Sequence, residues 1–168
     1  MKVLDELRDK VKGRLSFDII DNRTGEVVES YEENNVVVLT SREIIIKRIF
    51  DDNNSFKVER FKIGDDTGNG TSDDPEPADE TITANDMSVL YSQDGITLNT
   101  NNSLKTIINV FISGDSVLEQ FPDQDTIQFT SFGLFSLNDT LFSYRRVPAL
   151  TITENFSINI SWEIFFEE

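Results

Sequence analysis

The sequence predicts a mainly β fold: an antiparallel β-sandwich-like domain that carries one or two short α-helices. Apolar and polar residues alternate over residues 156–164, and Phe166 continues the apolar side, which is the periodicity of a strand with one buried face. Residues 104–112 also alternate, but Ile107 and Phe111 lie on the other side, so we expect both sides of that strand to be partly covered. Clusters of Gly, Asn, Asp and Pro separate these short segments, a spacing of turn signals that is typical of sandwiches.

The N-terminal segment predicts a short amphipathic helix. Within residues 2–12, Leu4, Leu7 and Val11 recur at helical spacing, and Gly13 ends the pattern. A helix of this length is marginal in water by itself, so we expect it to dock on its own domain or on a neighbouring subunit. The predicted division is therefore an N-terminal docking helix at 1–12 and a single β-sandwich-like domain at 13–168.

The next segment predicts a β-hairpin followed by a helix. Alternation over residues 15–20, the turn cluster at 21–25 and the return strand at 26–31 indicate the hairpin. Thr40 and Glu43 have the spacing of a capping box, in which each side chain bonds the other's backbone amide. We therefore predict a helix over 41–50, although its β-branched residues favour a strand.

The second half of the chain predicts a series of short strands. They cover residues 87–91, 104–112, 126–129, 132–135, 141–144 and 155–166. Residues 99–102 predict a turn and loop, residues 113–125 a connection, and Pro148 the end of a strand. Trp162 falls on the buried face of the last strand.

A long acidic loop is predicted at 64–82, after a short strand at 61–63 that Gly64 breaks. No large apolar side chain occurs from residue 65 to residue 78. A loop of this length inside a compact domain is uncommon, and is usually functional or disordered.

The acidic loop has a spacing of oxygen-bearing side chains that resembles an EF-hand calcium loop. The candidate ligands, with Gly70 at the sharp bend, are Asp65, Thr67, Asn69, Thr71, Asp73 and Glu76. Ca²⁺ is the one cofactor that the sequence suggests, and no other is expected. No helix pair flanks the loop, so the alternative is a solvated surface loop or an arm that contacts a neighbouring subunit.

Composition excludes several classes of function. The formal net charge of −16 and the absence of a basic stripe argue against nucleic-acid binding. The chain has neither Cys nor His, which removes the commonest nucleophile activator and transition-metal ligand. No apolar run approaches the roughly twenty residues of a membrane span, so no membrane contact is expected. The N-terminus is too polar for a signal peptide.

Catalysis is not expected either. Four carboxylates that could pair for hydrolysis occur close together in the chain, namely Asp115, Glu119, Asp123 and Asp125. With 31 acidic residues in the chain, such clusters arise by chance.

Two sets of residues are candidates for protein contacts. The first is the apolar stripe of the N-terminal helix, formed by Leu4, Leu7 and Val11. The second is Tyr144, Arg145 and Arg146, the last two of which are an adjacent basic pair in an acidic protein. The alternative for this pair is an exposed strand end with ordinary surface salt bridges.

The order of these segments resembles small virion structural proteins of tailed bacteriophages. The resemblance covers most of residues 13–166. It rests on the apolar run at 35–38 before the predicted helix, the Ile63-Gly64 loop start, and the late hairpin at 133–146 before a strand that contains Trp162. Ser41, Asp65 and Asp66 stand where such proteins usually have Gly or small residues.

The resemblance implies a non-enzymatic subunit of a tail, neck or collar, or baseplate, located in the virion after assembly in the host cytoplasm. Its partners would be other virion proteins and further copies of itself, in a ring. The alternative function is a β-sandwich module for carbohydrate binding or calcium-dependent adhesion. Sugar platforms favour exposed Trp and Tyr, whereas the chain has one Trp and three Tyr.

Overall fold

The computed structural model describes residues 11–50, 52–66, 78, 80–102 and 105–166. Within this part of the chain, most residues belong to strands. The strands are β1 (Val11–Asp21), β2 (Val27–Val37), β3 (Val58–Asp66), β4 (Met87–Asp94), β5 (Thr97–Asn102), β6 (Lys105–Ser113), β7 (Ile127–Ser136), β8 (Leu141–Ile152) and β9 (Phe156–Phe166). The helices are α1 (Ser41–Phe50) and the short α2 (Gly114–Leu118).

All nine strands form one antiparallel sheet in the order β4-β3-β7-β8-β2-β1-β9-β6-β5. The sheet is curled into two halves: half A contains β5, β6, β9, β1 and β2, and half B contains β8, β7, β3 and β4. The halves are joined where the end of β2 pairs with β8, through Val36 with Tyr144 and Val37 with Ser143. The predicted mainly β, sandwich-like fold with short helices is confirmed.

The main core lies between the two halves. Trp162 of β9 is fully buried, and its ring meets Phe61 of β3 edge-on, with ring centroids 6.1 Å apart. Phe17 of β1 packs edge-on against Phe132 of β7, at 5.4 Å. Both pairs bridge the halves, so aromatic packing holds the curled sheet closed. The prediction that Trp162 belongs to the core is confirmed.

A second, smaller cluster covers the opposite face of half B. Its buried members are Val38, Met87, Phe135, Leu141 and Tyr144. Ala78 and Ile82, from the end of the predicted acidic loop, pack against this cluster. The Leu39 amide also donates a hydrogen bond to the Glu80 carbonyl, at 2.8 Å. Half B is therefore covered on both faces.

The helix predicted over 41–50 is confirmed as α1, but the contact at its start differs from the expected one. The Thr40 hydroxyl donates a hydrogen bond to the Leu141 carbonyl of β8, at 2.5 Å. That bond fixes the start of α1 against the sheet. A capping box occurs instead at Thr83 and Asp86, where it opens the 3-10 turn of residues 84–86.

Several predicted boundaries are wrong in the second half of the chain. Residues 99–102 lie in β5, not in a loop, because an edge strand that pairs only with β6 tolerates amide side chains. The segments 126–129 and 132–135 belong to one strand, β7, whose register with β8 shifts between Phe129 and Ser131. The connection at 113–125 contains α2.

Pro148 does not end a strand, as predicted, but lies inside β8. It falls within a bulge of β8, where residues 147–149 lie opposite the single residue Thr130 of β7, between the pairs Arg146 with Ser131 and Leu150 with Phe129. A proline cannot donate a ladder hydrogen bond, and bulges are among the places in a sheet where that loss is tolerated.

The N-terminal boundary also differs from the prediction. Val11 and Lys12, the last two residues of the predicted helix, belong to β1, and Val11 pairs with Phe166. Gly13 lies inside β1 and does not end an element. A glycine is needed there because the Asn35 side chain occupies the space that a Cβ would need. Residues 2–10 of the predicted helix, with Leu4 and Leu7, lie outside the described residues.

β3 is longer than the predicted strand at 61–63. It passes through Gly64, where the register with β4 shifts between Ile63 and Gly64. Any Cβ at Gly64 would collide with the backbone of Ser88. Gly64 therefore allows close approach of two strands and does not break β3, and Asp65 and Asp66 belong to the strand.

Candidate interaction surfaces

The side of half A that faces away from the core is a flat surface, which we call the outer face. Alternation along each strand places there the residues between those that enter the core. The members with described side chains are Lys12, Arg14, Ser16, Asp18, Ile20, Val27, Ser30, Glu32, Asn34, Lys105, Ile107, Asn109, Phe111, Ser113, Ser157, Asn159, Ser161, Glu163 and Phe165.

The outer face carries no net formal charge, although the chain carries −16. Its charged members are three bases and three acids. The acids have partners on the face: Arg14 lies 3.7 Å from Glu32, and Lys105 lies 2.8 Å from Glu163. Asp18 accepts a hydrogen bond from the Ser30 hydroxyl, at 2.6 Å. The remaining members are small polar or apolar residues.

One end of the outer face is apolar. Phe111 of β6 is 57% exposed and Val27 of β2 is 53% exposed. In the sheet, Phe111 pairs with Asn159, and Asn159 pairs with Asp18 of β1. Val27 pairs with Ile20, which is two residues along β1 from Asp18. A large exposed apolar side chain among uncharged neighbours, here Asn109 and Asn159, is common in binding surfaces, because few charges beside it lose water when it is buried.

The sequence did not predict this role for Phe111. It placed Ile107 and Phe111 on the less apolar side of the strand at 104–112 and took both sides as partly covered. Ile107 is half-buried, but no described residue covers Phe111. The sequence feature that could have indicated this role is the presence of two large apolar residues, Ile107 and Phe111, on the otherwise polar side of the strand.

A second surface lies where β2 separates from β8. Beyond Val36, toward its start, β2 pairs only with β1 among the described residues. Arg145 spans part of the gap: its two terminal nitrogens donate to the Asn34 carbonyl at 2.9 Å and to the Tyr31 hydroxyl at 2.8 Å. It also forms an ion pair with Glu33.

Arg145 is buried, and burial lowers the pKa of its guanidinium below the usual range. Its charge lies 5.8 Å from the centre of the Tyr31 ring, and Tyr31 stacks on Phe17 with centroids 4.9 Å apart. Arg145 therefore connects the two halves of the sheet. The alternative of an exposed strand end at Arg145 and Arg146 is wrong.

A third cluster surrounds the buried carboxylate of Asp66 at the end of β3. The Tyr144 hydroxyl and the Arg146 Nε each donate to one Asp66 oxygen, at 2.7 Å. The Asp66 amide donates to the Thr130 hydroxyl, at 2.9 Å. Burial, with the nearby Asp66 carboxylate, raises the pKa of Tyr144 well above its usual range. The cluster fixes the last residue of β3 at the point where the acidic loop begins.

Most of the predicted calcium ligands fall outside the described residues. These are Thr67, Asn69, Thr71, Asp73 and Glu76. Asp65 is half-buried in β3, opposite Ser88, and burial raises the pKa of its carboxyl. Among the described residues, no three or more His, Cys, Asp or Glu lie together in a group that could hold a metal ion.

The four carboxylates considered for hydrolysis lie at separate positions around α2. Asp115 and Glu119 are in or next to α2, and Asp125 precedes β7. All four residues, including Asp123, are exposed. An exposed carboxylate has neither the desolvation nor the close partner that tunes a catalytic acid or base, so the structure brings together no acid–base pair here.

The remaining candidates are placed as follows. Tyr144 and Arg145 are buried, Arg146 is bound to Asp66, and Val11 is buried at the start of β1. Each therefore has contacts within its own chain. Among the described helices, neither is long and apolar enough to cross a membrane. No protein-family model, curated protein or solved structure matches this chain.

Proposed function

We propose that this chain is a non-enzymatic structural subunit of a tailed bacteriophage particle, in the tail, the neck or collar, or the baseplate. It acts by oligomerisation and by contacts with other virion proteins. The assignment to a virion rests on the resemblance of its segments to such proteins. The contact role rests on one observation, the neutral outer face with Phe111 exposed at one end.

The charge of the chain makes this face the favourable place for self-association. Two copies that each carry −16 repel one another unless the surfaces that meet are locally neutral. The outer face meets that condition, because its three bases and three acids balance. Contact of the outer face with a different surface of the next copy closes into a ring when the rotation between copies allows it, whereas contact of two outer faces gives a two-fold dimer.

The experiment is to replace Phe111 with Glu and follow both the protein and the particle. We expect F111E to remain folded, because Phe111 is exposed. We also expect it to lose self-association, which native mass spectrometry over a concentration series would measure. Particles assembled with F111E in place of the natural chain should lack the subunit. The matched control is Val89→Glu, which changes another exposed apolar residue on β4 of half B.

Antibody labelling of purified particles would locate the subunit. Labelling at the tail, neck or baseplate is the expected result. A particle that never contains the chain, or an F111E protein that associates and incorporates like the natural one, would overturn the proposal.

A second candidate function is carbohydrate binding, and one observation favours it. Phe111 is exposed beside Asn109 and Asn159, and an aromatic ring with neighbouring amides is a common sugar-binding arrangement. A glycan array with the natural chain and with F111A separates the two candidates. Sugar binding that F111A abolishes, in a chain that neither associates nor enters particles, would favour the carbohydrate-binding module.

A further inference from the structure

The backbone of β2 has an open edge on the side away from β1. In an antiparallel strand, the N–H and C=O of one residue point to one side and those of the next residue point to the other. The Asn34 carbonyl accepts from Arg145, and the Val36 carbonyl accepts from the Ser143 hydroxyl at 2.7 Å. The Val38 amide donates to Phe142 at 3.2 Å. The even-numbered residues of this segment therefore point toward β8.

By the same alternation, the N–H and C=O groups of Ser30 and Glu32 point away from β1. We call these four groups the β2 edge. In the described part of the chain, residues 29–33 pair with β1 alone, and β8 joins β2 only at Val36 and Val37. Ser30 and Glu32 are both exposed. The β2 edge is thus a short row of backbone donors and acceptors that an extended segment could bind.

The facing strand is not an equivalent site. β8 contains Pro148, which has no N–H and lies within the bulge of β8. A proline interrupts the ladder that an added strand would need. The gap also closes at Asn34, where Arg145 takes the carbonyl. An added segment would therefore bind β2, and Arg145 would limit how far it extends.

The side chains of β2 indicate the chemistry of the occupant. Glu29, Glu32 and Glu33 are exposed, and the strand itself carries no basic residue. Arg14 of β1 pairs with Glu32 and Arg145 of β8 pairs with Glu33, so the acids of this segment still outnumber the bases beside it. If the β2 edges of two copies paired antiparallel, these acids would lie opposite or diagonal to one another, which destabilises a strand pair. A segment that carries Lys or Arg would instead bring opposite charges together. This argument selects a basic partner over a second copy.

We propose that the β2 edge binds an extended, Lys- or Arg-rich segment of a partner protein by strand addition. The inference deepens the proposed function and rests on it, because a structural subunit needs a partner that supplies such a segment. The β2 edge would be a second contact site, in addition to the outer face. Backbone hydrogen bonds would supply the affinity, and the glutamates would supply the preference for a basic sequence.

The experiment uses the full chain and a short peptide that alternates lysine and threonine. We expect the peptide to bind and to slow hydrogen exchange at the Ser30 and Glu32 amides. A peptide of the same sequence with alternate backbone amides methylated should not bind, because it cannot form the ladder. The charge-reversed variant E29K/E32K should bind about tenfold more weakly. The matched control is E119K/D123K, which makes the same charge change around α2.

Three outcomes would overturn the inference. One is equal binding of the methylated peptide, which would mean that charge alone attracts it. Another is binding without protection of the Ser30 and Glu32 amides. The third is protection of those amides that rises with protein concentration in the absence of peptide, which would make a second copy the occupant. If any of these occurs while F111E still fails to enter particles, the edge inference fails and the proposed function stands.

Discussion

Arg145 and Arg146 are consecutive residues of β8, but their guanidinium groups lie on opposite faces of half B and bind different partners. Arg145 reaches β2, where it contacts Tyr31, Asn34 and Glu33. Arg146 binds the Asp66 carboxylate on the other face. Successive side chains of a strand point to opposite faces, so the two arginines make two separate connections within the chain.

We predict that Arg145→Lys destabilises the fold by about 1–3 kcal/mol, because a lysine cannot reproduce the fork that bonds both Asn34 and Tyr31. Denaturant unfolding measures the loss. The matched control is Arg14→Lys, whose exposed ion pair with Glu32 should contribute no more than about 1 kcal/mol. Equal losses in the two variants would contradict the role of Arg145 as a connection between the halves.

We predict that Trp162→Ala lowers the free energy of unfolding by about 3–5 kcal/mol, as deletion of a large core aromatic does. Trp162 is fully buried against Phe61. Phe111→Ala, which removes an exposed ring, should change it by less than about 1 kcal/mol. Because Trp162 is the only Trp, its fluorescence also reports burial. Emission like that of a solvated indole in the folded protein would contradict the assignment.

We predict that the fold loses stability at alkaline pH through Tyr144. Its pKa is raised in the folded chain, whereas in the unfolded chain it returns to the ordinary value of about 10. Below about pH 10 both states hold the proton, and the contribution is fully present. Above that pH the unfolded state releases the proton first, so the free energy of unfolding falls as the pH rises through the folded pKa.

The measurement is denaturant unfolding across alkaline pH, with Tyr144→Phe as the comparison. The variant loses the hydrogen bond to Asp66 but cannot titrate at this position, so its stability should fall less steeply with pH. Parallel curves for the two proteins would exclude Tyr144 as the source of the alkaline loss.

We predict that Gly64→Ala destabilises by about 1–3 kcal/mol, as overpacking does. The added Cβ would collide with the backbone of Ser88, which a side-chain movement cannot relieve. Ser92→Ala, at an exposed position of the neighbouring strand, should change stability by no more than about 0.5 kcal/mol. Thermal unfolding of both variants decides whether Gly64 is needed for this close approach.

Local patterns predicted much of the fold because strand periodicity is a strong signal where one face is buried. The last strand, the first hairpin and the burial of Trp162 follow from alternation and turn chemistry, whereas the helix at 41–50 forms with a different contact at its start from the capping box that predicted it. Prediction from local propensity failed where pairing with a distant strand decides whether a segment is a strand. Nothing local shows that β8 bulges at Pro148 and continues beyond it, or that residues 99–102 can pair with β6.

The candidate surfaces were harder to predict than the strands. Tyr144 and Arg146 meet Asp66 from about 80 residues away, and only the sheet order brings them together. The neutrality of the outer face depends likewise on which strands are neighbours. The sequence contained the exposed Phe111, but its importance appears only when β6, β9, β1 and β2 are placed side by side.

The position of β9 in the sheet determines how the nascent chain can fold. β1 pairs with β9 from Val11 to Asp21, and β6 pairs with the other edge of β9. β9 is the last of the nine strands to leave the ribosome. Until then, β1 and β6 each expose a strand edge, and Leu15 and Phe17 lack their partners on β9, Trp162 and Ile160. Half A therefore completes only after translation has passed residue 166, and slow or crowded synthesis leaves those edges open to mispairing.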